Sequence, residues 1–353
     1  MKSVHLQQNL EQHLSQVGLK VSQPQVKNLA LLSHSLAVSS NCHLSNLALG
    51  VPVDARRENL IQRLRRYLKG GDYGWHSCYG QLVRHLFAHW QGREVALVMD
   101  RTDIGQRLSI LVVGVAYRKR LLPLNWRVLP FGGTGAKIQQ ALLHPVAPHL
   151  PKGCRIHYYG DCEFRATDLQ GYFKEHHWHW HTGLKGDTYV TLADGTECQL
   201  RHLPLSKGER RYWQQVYITK ELFGPVNLLA DWSPNQDFPR FWSLDLPADT
   251  AAWRRGRKRF WIEPSFRDWK SYGFDLEATQ IEDTQRLEVL ILGMAVTTLW
   301  MIHIGDWLTH HGYEAHLDRT RHPDYSLFRR GRDHVARCRT MGWTIPVGFT
   351  VLH

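Results

Sequence analysis

Two hydrophobic periodicities divide the chain. Up to about residue 90, apolar positions recur at helical spacing, as in Val26-Lys-Asn-Leu-Ala-Leu-Leu and Leu60-Ile-Gln-Arg-Leu-Arg-Arg-Tyr-Leu68, which predicts a helical region. Between them, Leu44-Ser-Asn-Leu-Ala-Leu-Gly-Val-Pro-Val predicts a short helix, a glycine turn and a new start. That pattern suits a helix-turn-helix and suits equally a helical cap with one solvated basic side (Arg56, Arg57, Arg63, Arg65, Arg66, Lys69). Gly70-Gly71-Asp72 closes the region.

From residue 94 the pattern changes to β-rich runs. Glu94–Met99, Leu108–Tyr117 and Leu121–Leu129 are separated by short polar breaks and predict an antiparallel meander. Gly132-Gly-Thr-Gly135 reads as a turn, because no P-loop lysine and Ser/Thr follow it. A helical pattern over 136–149 and a fourth strand, Arg155–Tyr159, come next. Shorter strands follow at Thr188–Leu192, Glu197–Leu203, Tyr212–Thr219, Val226–Ala230 and Phe241–Leu246, a β-rich block expected to protrude from the sheet. Val289–Gly305 lacks a formal charge, but it falls short of the roughly 20 apolar residues a membrane span needs, so it predicts a buried core helix.

Composition adds a partner class. The balance of 44 Lys+Arg against 32 Asp+Glu gives a net charge of +12, which favours a polyanion without telling DNA from RNA or an acidic membrane. The 6 cysteines form no CxxC pair, which reads as reduced thiols in a cytosolic protein. Met1-Lys-Ser-Val-His-Leu-Gln-Gln-Asn has no apolar core of a signal peptide. In His176-His-Trp-His-Trp-His181, alternation sets His177, His179 and His181 on one strand face; with no second ligand group in sight, a half-buried strand is expected rather than a zinc site. Trp213, Trp232 and Trp242 read as core residues, with stacking on an unpaired base as the functional alternative.

Candidate chemistry lies in three acidic motifs far apart in the chain: Val95-Ala-Leu-Val-Met-Asp100-Arg-Thr, Gly160-Asp161-Cys-Glu-Phe164, and Arg259-Phe-Trp-Ile-Glu263-Pro-Ser-Phe-Arg267-Asp-Trp-Lys270. Three carboxylates offer hard oxygen ligands for a two-metal phosphoryl-transfer site. Each aspartate has a rival, Asp103 and Glu163 respectively, and Glu163 is also a candidate partner of Asp161. On one helix, residues 259, 263, 267 and 270 would share a face and Ile262, Phe266 and Trp269 another. Pro264 disfavours the helical conformation at Glu263, so the helix starts either before Arg259 or at Pro264.

These motifs resemble the DDE transposases of bacterial insertion sequences, in particular the subgroup with a Y-x2-R-x3-E-x6-K signature and a long insert before the glutamate. The resemblance covers roughly residues 40–340. It implies a ribonuclease H-like mixed α/β sheet core with a β-rich insert and an N-terminal helical domain. The expected division is 1–90 helical DNA-binding region, 91–184 first part of the catalytic core, 185–250 insertion, 251–310 second part of the core, and 311–353 basic segment. The basic segment includes Arg319, Arg321, Arg329, Arg330, Arg332, Arg337 and Arg339. The resemblance makes Asp100, Asp161 and Glu263 the catalytic metal ligands, for two Mg²⁺ ions with Mn²⁺ as a substitute. Arg254, Arg255, Arg257, Lys258, Arg259, Arg267 and Lys270 become the DNA-binding cations.

The implied function is cutting and joining of transposon ends on double-stranded DNA (terminal inverted repeats and target). A homodimer would act in the bacterial cytoplasm, bound to the nucleoid and not to a membrane. The alternatives are a catalytically inactive DNA-binding derivative and a nuclease that cuts without joining. One departure is plain: the signature tyrosine falls on Gly256. Its ring is then absent or supplied by another residue such as Trp253, and Gly256 is expected either on an open DNA-facing surface or in a turn that needs positive φ.

Overall fold

The computed structural model describes residues 3–70, 73–319 and 324–352; Gly71, Asp72 and Arg321 lie outside them. Five helices come first: α1 (Ser3–Gln16), α2 (Gln23–Val38), α3 (Leu44–Gly50), α4 (Arg57–Lys69) and α5 (Tyr79–Ala88). In α4 the apolar stripe Leu60, Leu64, Tyr67 and Leu68 is buried, while Arg65, Arg66 and Lys69 are exposed. Arg63 is turned inward to Asn28 at 2.9 Å and Arg57 to the Ser45 carbonyl at 3.2 Å, so part of this basic face serves the helix packing.

The sheet begins with β1 (Glu94–Ile104), β2 (Leu108–Tyr117) and β3 (Arg120–Pro130), an antiparallel meander. Every residue of β2 is buried, as its nearly unbroken apolar run requires of a strand covered on both faces. The β2–β3 turn places Arg118 (φ 43°) and Lys119 (φ 62°) in the left-handed region, the backbone of a two-residue hairpin turn usually made with Asn or Gly. After α6 (Ala136–Leu143), β4 (Arg155–Gly160) returns parallel to β1; after α7 (Thr167–Glu175), β5 (His179–Leu184) lies parallel to β4. The order β3-β2-β1-β4-β5 is ribonuclease H-like.

β6 (Tyr189–Thr191), β7 (Glu197–Gln199), β8 (Arg210–Ile218), β9 (Phe223–Asp231) and β10 (Arg240–Leu244) continue that sheet instead of protruding from it. β10 pairs antiparallel with β5, and the full order is β3-β2-β1-β4-β5-β10-β9-β8-β6-β7. The physical reason is that β5 would otherwise leave an open edge of backbone donors and acceptors, which the insert covers. Trp213 and Trp242 are partly buried against the apolar clusters, and the Trp232 indole donates to the Gln236 carbonyl at 3.0 Å.

The chain then returns to the first half of the sheet through α8 (Thr250–Gly256), α9 (Ile262–Arg267), α10 (Thr284–His310) and α11 (Leu327–Met341). Asp249, Asp283 and Ser326 cap α8, α10 and α11 through side-chain oxygens that accept amides of the first turn. The apolar run inside α10 is buried among α2, α11 and β3. It is a core helix. Arg330 is buried on Asp318 at 3.1 Å, and Arg332 donates to carbonyls of Gly273 and Ser39; these two cations of the C-terminal segment are spent inside the fold.

Candidate active site: three carboxylates around Arg259

β1 and β4 run parallel with Val98 opposite Tyr159. Two residues further along each strand direction stand Asp100 and Asp161, so the register sets them side by side. β1 does not stop at Asp100 but continues to Ile104. Asp103 is therefore a strand residue too, and it pairs with Arg101 at 2.7 Å. Asp161 directly follows β4 and caps a 3-10 turn, Cys162–Phe164, with its Oδ1 accepting the Glu163 amide at 2.8 Å. The turn breaks the alternation that would have aligned Glu163 with Asp161. The Glu163 carboxylate instead accepts from Arg101 Nε at 3.0 Å and from the Thr134 amide and hydroxyl at 2.9 and 2.8 Å.

Glu263 arrives on a helical run that changes pitch three times. α8 passes into a 3-10 segment, Arg257–Trp261, then α9, then a wide π turn, Asp268–Tyr272. Pro264 is the third residue of α9, where its missing amide costs little. The helix neither begins at Pro264 nor runs regularly from Arg259 to Lys270. Ile262, Phe266 and Trp269 are buried together as their spacing requires. On the other side Arg259 and Glu263 meet at 3.0 Å. Lys270 turns to Glu277 at 2.6 Å, and Arg267 is exposed.

Arg259 is the centre of the site. Its Nη2 lies 3.4 Å from both Asp100 Oδ2 and Asp161 Oδ2, while Nη1 donates to Glu263 Oε1. The guanidinium gathers the three motif carboxylates at once, and its side chain is only 17% exposed. Burial pushes the Asp100 carboxyl up to about 6; Asp161 and Glu263 push the same way, while Arg259 and the Arg101 amide oppose them. Among the described residues no three His, Cys, Asp or Glu groups stand close enough together to seat a metal ion as they are. The donor chemistry fits a hard divalent cation nonetheless: all three are carboxylates, and they already converge on one positive charge.

Of the other cations of this segment, Arg254 and Arg257 are exposed, and Arg255 and Lys258 half-buried. Trp253 does not offer a bare ring in place of the signature tyrosine: the Arg210 guanidinium lies 3.6 Å from its centroid and Arg257 stands at 5.7 Å. Gly256 has φ −57°, ordinary helical backbone, and a Cβ there would run into the buried His181 ring, 2.6 Å from Nε2. Neither the open surface nor the positive-φ turn expected of Gly256 is present. The periodicity gave no sign of His181 in this place, since it sits on β5, distant in sequence.

The ribonuclease H-like sheet carries one acidic side chain within β1, one directly after β4 and a third on the returning helix. Residues 133–300 match the family model of the transposase DDE domain. Among curated proteins none matches. Of solved structures, the piggyBac transposase synaptic complex with hairpin DNA is similar at TM-score 0.47 and 10% identity, covering 93% of this chain and 76% of that one. Human ENDOV is similar at TM-score 0.27 and 12% identity, covering 54% and 95%. Likenesses at these scores carry no functional weight.

Proposed function

We propose that the chain cuts and joins the ends of a mobile DNA element, with Asp100, Asp161 and Glu263 as its catalytic carboxylates. The supporting observation is their convergence on one guanidinium from three distant segments of the chain. Binding DNA alone would not need three acidic groups gathered in a basic protein. Two Mg²⁺ ions, or Mn²⁺ in their place, are the cofactor this donor set suits, and bound there they supply Lewis-acid stabilisation of the attacking and leaving oxygens.

The chain's own residues then have defined tasks. Asp100 must be ionised to serve, and the Arg101 amide and the nearby cation favour that form against its burial. Arg259, once released from its three acidic partners, would offer its guanidinium to a DNA phosphate. Arg254, Arg257 and Arg267, exposed on the same run, extend that contact along the backbone of the duplex. Water opens the P–O3′ bond at the element's end, leaving a 3′-hydroxyl and a 5′-phosphate. The 3′-hydroxyl then attacks a phosphodiester of target DNA and displaces a 3′-hydroxyl there. The expected partners are the element's terminal inverted repeats and target DNA, bound by a homodimer in the cytoplasm, with α3 and α4 as the candidate end-reading pair.

The test is cleavage of a duplex carrying the element's end. Asp100→Asn and Glu263→Gln should each lower the rate by about a thousandfold or more, the several kcal/mol that metal-held charge supplies, while duplex binding persists. Full cleavage by either variant contradicts the assignment. Strand-transfer product from pre-cut ends separates a transposase from a nuclease that only cuts.

A further inference from the structure

We infer that Glu163, through its ion pair with Arg101, is a positioning residue that fixes the spacing and orientation of Asp100 and Asp161. The inference rests on the metal-site reading of those two aspartates. The geometry is reciprocal. The Arg101 amide donates to Asp100 Oδ1 at 2.8 Å, and the Glu163 amide donates to Asp161 Oδ1 at 2.8 Å. The side chains of those same two residues join each other at 3.0 Å. Each aspartate thus has one oxygen fixed by the main chain of a residue whose side chain is tied to the other aspartate's neighbour. The remaining oxygens, both Oδ2, face the Arg259 cation. Asp100, Arg101, Glu163, Asp161 and Arg259 close a ring of contacts.

The strut is itself braced. Arg101 Nη1 also donates to Asp103 Oδ1 at 2.7 Å and to Ser109 Oγ at 3.1 Å, so its guanidinium cannot swing without breaking bonds on β1 and β2. Glu163 Oε1 is occupied by the Thr134 amide and hydroxyl, which ties the glycine-rich loop to the end of β4. With Oε2 on Arg101, both oxygens are engaged away from the Arg259 cation, which separates Glu163 from the carboxylates that face it. Arg101 and Glu163 are each 21% exposed, and ion pairs near the surface contribute little to folding stability. What this pair controls is where two charged oxygens point.

The test uses the full chain and Mn²⁺ as the probe, titrated calorimetrically and by the loss of its free paramagnetic signal, alongside thermal melting without metal. Glu163→Gln keeps the shape and an acceptor for Thr134 but removes the negative charge that pairs with Arg101. Mn²⁺ affinity should fall by roughly 10–100-fold, the usual cost of losing a partner that orients metal ligands. The Mn²⁺ concentration for half-maximal cleavage should rise by the same factor, with much of the rate recovered at saturating metal. Arg101→Lys, which retains charge but not the forked geometry, should give a smaller shift and serves if Glu163→Gln does not fold. Wild-type Mn²⁺ affinity in folded Glu163→Gln overturns the inference, as does a drop in melting temperature with an unmoved metal midpoint. A wild-type chain that binds no Mn²⁺ overturns the metal-site reading itself, and this inference with it.

Discussion

Gly256 shows how one missing side chain is used. At this place the related signature carries tyrosine, and the structure puts the His181 ring where a Cβ would stand. His181 is 6% exposed, so it has little room to yield. Gly256→Tyr should therefore lower stability by at least roughly 1–3 kcal/mol, the cost of overpacking a filled interior, and much of that loss should disappear when His181 is also replaced by alanine. Thermal melting of the two singles and the double checks this. A Gly256→Tyr protein as stable as the wild type contradicts the packing. Other residues were only half legible in the sequence. Strand alternation could not choose between Asp161 and Glu163, because it sets both on one face, and for Asp100 and Asp103 it reports faces and not partners. The pairing with Arg101 separates them: Asp103 and Glu163 hold that guanidinium, while Asp100 and Asp161 face Arg259.

At the scale of elements, the meander and the fourth strand followed from apolar runs and their spacing, while the parallel return of β4 and β5 did not, since pairing direction leaves no mark on a strand's own periodicity. The insert was recognisable as strands, but its joining to β5 was not, since an open sheet edge has no local signature. The pitch changes between Asp249 and Tyr272 were also out of reach; proline announced an irregularity without saying which kind. β4 and β5 carry a further consequence. Burial, aided by the neighbouring His179 and by cations, lowers His157 to about 4, and burial, aided by Arg255, lowers His181 to about 3. Each folded value lies below the unfolded 6.5, so the folded state resists protonation. The associated stability is fully present above about pH 6.5 and is lost as the pH falls toward 4 and 3, at about 1.4 kcal/mol per pH unit for each ring. Asp100, raised to about 6, works in the opposite sense between about pH 4 and 6. Urea midpoints should fall between pH 7 and pH 5, and His157→Gln should flatten that fall. An unchanged slope in His157→Gln would show that His157 titrates freely in the folded chain.

Taken as a whole molecule, the net charge of +12 does not spread evenly into a surface for a polyanion. Arg120 is tied to Asp268 at 2.7 Å, Arg330 to Asp318, and Arg332 to main-chain carbonyls. The exposed arginines of the 254–267 run lie on the segment that delivers Glu263. The sheet core, the helical N-terminal region and the buried α10 were all foreseeable from periodicity, because each buries an uninterrupted apolar face. The site was foreseeable only as three motifs. That they meet around one guanidinium is a property of the β1–β4 register and of the returning helix. The most direct measurement of the central claim is metal-directed cutting of the protein itself: Fe²⁺ bound in place of Mg²⁺ is activated with ascorbate and peroxide, and the backbone breaks are mapped by mass. The account predicts breaks clustered near residues 100, 161 and 263, suppressed by excess Mg²⁺ and absent in Asp161→Asn. Breaks that cluster elsewhere, or that persist unchanged in Asp161→Asn, would contradict a single metal site built from these three carboxylates.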